Sequence, residues 1–265
     1  MGGFYCCCPA VEPAGALAGR ALGRGRGLFV ALAGLLGLQA GNRQRRYGLR
    51  RLQAVCGARC LDWLDSFEPD SCFFDLGANI GQYSLYPAKK FGNKIQVYAF
   101  EPQCINYYLL NRNIYLNKLD KTITAYGVAI SGISGFSKLY IPKFIAGGNR
   151  SQFGKEDLNT MKRPASHIQG MFGVTLDDLC SKWGLPCPNY IKIDVDGIEI
   201  AIIKGAENTL KNPNLRSVIV ELGTTEEQEE AVKLMEQAGL EVKFKTTRNW
   251  GETCFIFERR KGASA

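Results

Sequence analysis

This 265-residue chain has a single histidine, His167, so histidine acid–base chemistry has only one candidate. Its glycines nowhere take the G-x-G-x-x-G spacing, which weakens a dinucleotide site. Its ten cysteines lack zinc-ligand spacing, and three of them, Cys6, Cys7 and Cys8, are consecutive and cannot comfortably share one metal. The apolar run at residues 28–38 is shorter than the roughly 20 residues of a membrane span. Residues 1–60 contain no Lys, no Ile and no Ser, and only one acid, Glu12. The missing Ser speaks against a typical transit peptide.

The charge is as uneven as the residue usage. Residues 1–60 hold nine Arg and so carry the whole net charge of +8, while the remainder balances. A neutral remainder gives no electrostatic reason to expect nucleic acid as a partner. We read two segments: a basic leader over residues 1–57 and a catalytic domain over 58–265. Arg24 and Arg26 precede the apolar run, and Arg43, Arg45 and Arg46 follow it. That pattern fits the h-region of a signal sequence, an Arg-rich organelle-targeting segment, or an unstructured extension. Contact with a membrane or an import machinery would run through this leader. The sequence leaves the localisation open.

Within the domain, Phe73-Phe74-Asp75-Leu76-Gly77-Ala78-Asn79-Ile80-Gly81 reads as a strand, a tight loop and a helix start. Glycines let backbone approach a ligand, with the loop amides expected to face it. The spacing is D-x-G-x-N-x-G. An acid entering the loop repels a pyrophosphate but suits a cation such as the amino group of S-adenosylmethionine. A second strand, Ile95 to Phe100, ends at Glu101-Pro102, about twenty residues on, where an acid can accept hydrogen bonds from ribose hydroxyls. A third, Tyr190-Ile191-Lys192-Ile193-Asp194-Val195-Asp196-Gly197, alternates apolar and charged residues and gathers acids at its C-terminal end. Tyr86 and Lys90 form Y-x-x-x-K, but on the first helix, too early for a dehydrogenase pair, and are read as a solvated helix face.

The pattern predicts helices at Leu61–Phe67, Ile80–Lys90 and Cys104–Asn117, then a strand near Thr122–Ile130 and an extra hairpin arm through Ser137–Ile141. Residues Phe144 to Gly170 read as a long irregular loop, of the kind that carries function. Thr175 with Asp178 marks a helix start. Ile198–Leu210 reads as a helix, Arg216–Leu222 as a strand and Glu226–Ala238 as an amphipathic helix. Leu240–Thr246 and Thr253–Glu258 close the sheet as an antiparallel pair. The class is α/β: a seven-stranded, mostly parallel open sheet with helices on both faces and a terminal antiparallel hairpin.

The segments Phe74–Gly81, Ala99–Pro102, Thr175–Leu179, Ile191–Glu199 and Lys204–Ala206, in this order, resemble the FkbM family of S-adenosylmethionine-dependent methyltransferases. The likeness runs over roughly residues 60 to 260. It implies a class I methyltransferase (Rossmann-like) sheet, S-adenosylmethionine as cofactor, and O-methylation of a sugar or small-molecule hydroxyl, with a small-molecule or glycan acceptor as partner. Asp196 stands where many members carry Glu. In this reading Asp75 sits by the methionine end of the cofactor, Gly77, Ala78, Asn79 and Gly81 make the loop, and Glu101 holds the ribose. Asp194 faces the transferred methyl and shares the catalytic candidacy with His167, whose near-neutral ring suits a general base. Asn149, Ser151, Gln152 and Phe153 are the expected acceptor contacts. No metal is expected. Two rivals stay open: a cofactor-fold domain used only for binding, and a methyltransferase acting on protein or nucleic acid.

The separate composition of the leader yields a test. Removing residues 1–57 is expected to leave a single cooperative unfolding transition and cofactor affinity unchanged. Loss of cooperative unfolding in the shortened chain would show that the leader belongs to the core.

Overall fold

A computed structural model describes residues 58–248 and 251–260. The leader assigned to residues 1–57, with its apolar run and Cys6, Cys7 and Cys8, lies outside the described residues. Helix α1 (Ala58–Asp65) leads into β1 (Ser71–Leu76), α2 (Gln82–Phe91), β2 (Ile95–Phe100), α3 (Cys104–Asn117) and β3 (Ile123–Tyr126). Next come β4 (Ala129–Ile130), β5 (Gly135–Ile141), β6 (Gln152–Phe153), α4 (Leu158–Met161) and β7 (His167–Val174). The chain continues through α5 (Leu176–Ser181), β8 (Tyr190–Ile193), α6 (Glu199–Lys204) and α7 (Glu207–Lys211). It closes with β9 (Ser217–Leu222), α8 (Thr225–Gln237), β10 (Leu240–Thr247) and β11 (Thr253–Arg259).

Seven strands form one sheet in the order β3-β2-β1-β8-β9-β11-β10, parallel except for β11, which runs antiparallel to both neighbours. The closing hairpin is therefore present, with its second strand inserted between β9 and the edge strand β10. Central strands β1 and β8 are buried along their whole length, as a sheet covered on both faces requires. Strand alternation sends Phe73 into the apolar layer that holds Leu85, Val97 and Leu110, and Phe74 into the layer that holds Ile191, Ile202 and Phe257.

Four strands make a second sheet, in the order β4-β7-β5-β6. Two expectations change here. The single strand expected near Thr122–Ile130 is two strands in different sheets, divided around Gly127, against which the Tyr107 ring packs. The stretch from Phe144 to Gly170 is not wholly irregular: it holds β6, α4 and the start of β7, and His167 pairs with Ile141. The exposed start of β7 and its two glycines hid the strand from a pattern reading. The Phe153 ring is seated on Gly173, where a Cβ would lie 2.4 Å from it and displace it.

Tyr86 and Lys90 both bind Asp65, at 2.7 and 2.6 Å. Their Y-x-x-x-K spacing pins α2 to the end of α1. The helix expected over Ile198–Leu210 is two, α6 and α7, separated at Gly205 and Ala206. Thr175 accepts from the Asp178 amide, and Thr224 with Glu227 forms a capping box at the start of α8.

The position of the site depends on Lys192 of β8. It is buried, and its Nζ lies 3.2 Å from Asp75 Oδ1 and 3.2 Å from Asp194 Oδ2. It also donates to the carbonyls of Leu76 and Gly77 and sits over the Tyr83 ring. Burial works against the charged ammonium, but the Asp194 and Asp75 carboxylates outweigh it and hold Lys192 above the usual lysine range. Asp75 is fully buried and takes a further hydrogen bond from Ser84. Lys192→Met keeps the volume and strands the Asp75 charge, so it is expected to cost about 3–5 kcal/mol in denaturant-monitored unfolding. A loss below about 1 kcal/mol would show that the cluster does not hold these strand ends together.

Candidate functional site

The C-terminal ends of β1, β2 and β8 open onto a cleft of about 580 Å³. Open α/β sheets hold ligands on this side. Gly77 begins the floor. Its φ is +72°, and a Cβ there would lie 1.9 Å from the Asp194 carbonyl oxygen, so only glycine fits where the two strand ends meet. Asn79 follows at φ 52°, a left-handed conformation that Asn tolerates better than most residues. Gly81, at φ +95°, packs against Leu110 rather than lining the cleft.

Four amides of this loop are already committed. Those of Gly77 and Ala78 both donate to the Phe100 carbonyl at 3.0 Å, and that of Gly81 donates to Ala78 at 2.8 Å. The Asn79 amide donates to Glu101 Oε2 at 2.7 Å. Contrary to the sequence expectation, these four amides are not free to face a ligand. Glu101 is buried at the tip of β2, and its Oε1 accepts from the Gln103 amide at 2.9 Å. Each carboxylate oxygen can accept more than one hydrogen bond. Glu101 lines the cleft, so acceptor capacity remains on that side.

The opposite wall is Asn149, Arg150 and Ser151, on the segment between β5 and β6. Buried Asn106 of α3 holds this segment, accepting from the Gly147 amide at 2.9 Å and donating to the Gly148 carbonyl at 2.8 Å. Asn79 donates to the same carbonyl at 3.2 Å, and Gln103 to that of Lys143 at 3.2 Å. Beyond β8, Asp196 stands in a left-handed turn at φ 63° and accepts from the Arg150 amide at 2.7 Å.

Five acids, Glu101, Asp194, Asp196, Glu221 and Glu252, line the cleft against two bases, Arg150 and Lys192. Burial raises the Glu101 carboxyl to about 7. Burial and the Asp194 charge raise Asp196 to about 6 and Glu221 to about 8. Buried Glu199, which accepts from the Gly197 amide, is likewise pushed up to about 7. These values lie above those of unfolded carboxyls. The groups therefore favour the empty fold most at low pH, below about 4, and progressively less as pH rises through 6 to 8. The site resists its own negative charge and is poised for a cation.

Of the residues singled out in the sequence, Gly77, Ala78, Asn79, Glu101, Asp194, Asn149 and Ser151 line this cleft. Asp75 does not: it is fully buried behind the loop and spends its charge on Lys192. Gln152 and Phe153 do not line it either, because β6 carries them into the second sheet. There Gln152 donates to the Asp196 carbonyl and Phe153 packs over Gly173. His167 is exposed at the start of β7 with its ring 4.5 Å from that of Phe144, and it is not among the cleft-lining residues. Asn106, Gln103, Tyr83, Arg150, Glu221 and Glu252 escaped the sequence reading. Only Gln103 and Asn106, polar residues spaced on one buried face of a helix start, left any local signal.

Comparison with known proteins agrees with this geometry. Residues 75–250 match the methyltransferase FkbM domain. The hexuronic acid methyltransferase AglP of Haloferax volcanii is 29% identical over 198 residues, covering 75% of this chain and 74% of that protein. The methyltransferase sdnD of Sordaria araneosa is 29% identical over 157 residues, covering 50% of this chain and 59% of that protein. A solved methyltransferase FkbM from Methylobacillus flagellatus KT shares the fold, with a TM-score of 0.51 at 15% identity, over 86% of this chain and 58% of that one. The strand order, the cleft at the strand ends and the domain match over most of the described residues lead to one assignment: this chain belongs to the FkbM methyltransferase family.

Proposed function

We propose that the cleft binds S-adenosylmethionine and that the enzyme methylates a hydroxyl of a sugar or other small acceptor. The observation that carries the cofactor reading is the loop itself. A pyrophosphate-binding glycine loop turns bare amides to its ligand, and here those of Gly77, Ala78, Asn79 and Gly81 are engaged within the fold. The wall offers carboxylates instead, which suit a cationic sulfonium amino acid and a ribose that donates hydrogen bonds. The family match and the sugar acid named for AglP support the acceptor class.

S-adenosylmethionine supplies the activated methyl group and its own leaving group. The chain's task is to hold, orient and deprotonate. In this reading Glu101 accepts from ribose hydroxyls, and Gly77, Ala78 and Asn79 form the floor. Asp194, at the end of β8 and fixed by Lys192, orients the acceptor hydroxyl and takes its proton. Asn149 and Ser151 contact the acceptor. His167 has no part in the transfer.

Two outcomes are expected. Glu101→Ala weakens S-adenosylmethionine binding by about 1.5–3 kcal/mol in calorimetry. Asp194→Asn lowers methyl transfer about 100-fold or more while cofactor affinity changes far less. Turnover is followed as a methyl-sized mass gain on glycans and hydroxylated metabolites. An active Asp194→Asn enzyme beside an inactive His167→Ala one would overturn the assignment of the base.

A cation entering the cleft also favours the ionised forms of Glu101, Asp196 and Glu221. Binding of S-adenosylmethionine between pH 6 and 8 is therefore expected to release protons, and its affinity to rise with pH across that window. Calorimetry in buffers of different ionisation enthalpy measures the proton count directly. Proton uptake on binding would contradict the acidic-cleft account.

A further inference from the structure

Beside the cleft lies a second hollow of about 260 Å³, lined by Pro142, Lys143, Asn149, Arg150, Met161, Lys162 and Arg163. Its charge is opposite to that of the cleft: four of its seven residues are cationic and none is acidic. None of the four makes a salt bridge among the described residues. Asn149 and Arg150 line both spaces, so the hollow adjoins the cleft at this segment.

The backbone fixes this arrangement. Arg150 and Lys162 both stand in left-handed conformations, at φ 63° and 62°. The Arg150 amide is tied to Asp196, and the Lys162 amide donates to the Leu158 carbonyl at the end of α4. The return to β7 is held by the Ala165 amide on Glu156 and the Ser166 amide on the Ile141 carbonyl. Three separate segments thus bring like charges to one concavity. Arg150 and Lys162 also face the acids of an adjoining hollow, so the positive potential is centred on Lys143 and Arg163 and is relieved by an anionic guest. Lys and Arg together suit a carboxylate or phosphate.

We infer that the hollow is an acceptor subsite for an anionic group, so that the natural acceptor is an acidic sugar or other hydroxylated anion, carrying a carboxylate or a phosphate. This rests on the reading of the cleft as the cofactor site, because it is Asn149 and Arg150 that would bring the acceptor's hydroxyl from the hollow toward Asp194. The anion holds the acceptor by one end and leaves its hydroxyl in the cleft. Cofactor and acceptor then occupy regions of opposite potential, which discourages either from entering the other's place.

The test is calorimetric titration of the full chain with glucuronate, a glucose phosphate and glucose, each with and without S-adenosylhomocysteine. At least one anion is expected to bind at least about tenfold more tightly than glucose. The double change Lys162→Ala with Arg163→Ala should remove that preference and leave the weak glucose response in place. Lys143→Ala, on another segment, should reduce it too. Raising the ionic strength from about 0.1 to about 1 M, which cuts the Debye length from about 10 to about 3 Å, should weaken the anion and not glucose. Glucuronate and the phosphate distinguish the two sources of charge. Equal binding of glucose and both anions, no binding of either anion, or full anion affinity in the folded double variant would overturn the inference. Failure of S-adenosylhomocysteine to bind would instead strike the cofactor reading, since anion binding is measured without it as well.

Discussion

A buried ammonium holds the site together. Lys192 Nζ reaches a carboxylate on β1, a carboxylate at the end of β8 and two carbonyls at the head of the glycine loop. Burying a lysine in a central strand is costly without compensation. Here the compensation comes from groups that must themselves be close: Asp75 behind the loop, Asp194 in front of it, and Gly77 between. The Gly77 backbone can pass the Asp194 carbonyl only because it lacks a Cβ. Ion cluster and glycine together fix the distance between two strand ends, and that gap is where the cleft opens.

The cleft's chemistry follows from what this geometry uses up. Turning sharply to meet Phe100, Ala78 and Glu101, the loop spends the amides of residues 77, 78, 79 and 81. What remains toward the cleft is acceptor-rich and acidic. Burial raises the Glu101 carboxyl, and burial together with the Asp194 charge raises Asp196 and Glu221. Across from this wall, Asn106 and Asn79 hold the segment of Gly147 and Gly148 against the loop. The cationic hollow beside it is built by the connections of the small second sheet, which give it a different charge.

The sheet was largely legible in the sequence because its strands are short apolar runs between clear stops: Asp75 and Gly77 after β1, Glu101-Pro102 after β2, Asp194 to Gly197 after β8. Glu101 and Asp194 were legible as cleft-lining residues for the same reason, since strand position alone puts them at the C-terminal edge of the sheet. Asp75 shows the limit of that logic. A strand-end acid can point into the cleft or behind it, and here Lys192 of β8, distant in sequence but on the neighbouring strand, draws it behind. Gln152 and Phe153 failed for another reason. Their two-residue strand is defined by pairing with β5, not by a pattern of their own. His167 was read as a loop residue because half of β7 is exposed and interrupted by glycine. Arg150, Glu221 and Glu252 carry no local signal, because only the tertiary fold brings them to the cleft.

The central claim is that the glycine loop and its acids select a sulfonium cofactor over a dinucleotide. Side-by-side calorimetric titration of the full chain with S-adenosylmethionine and with NAD tests it most directly. The account predicts saturable binding of S-adenosylmethionine and no comparable response to NAD. Tight NAD binding with no response to S-adenosylmethionine would contradict it.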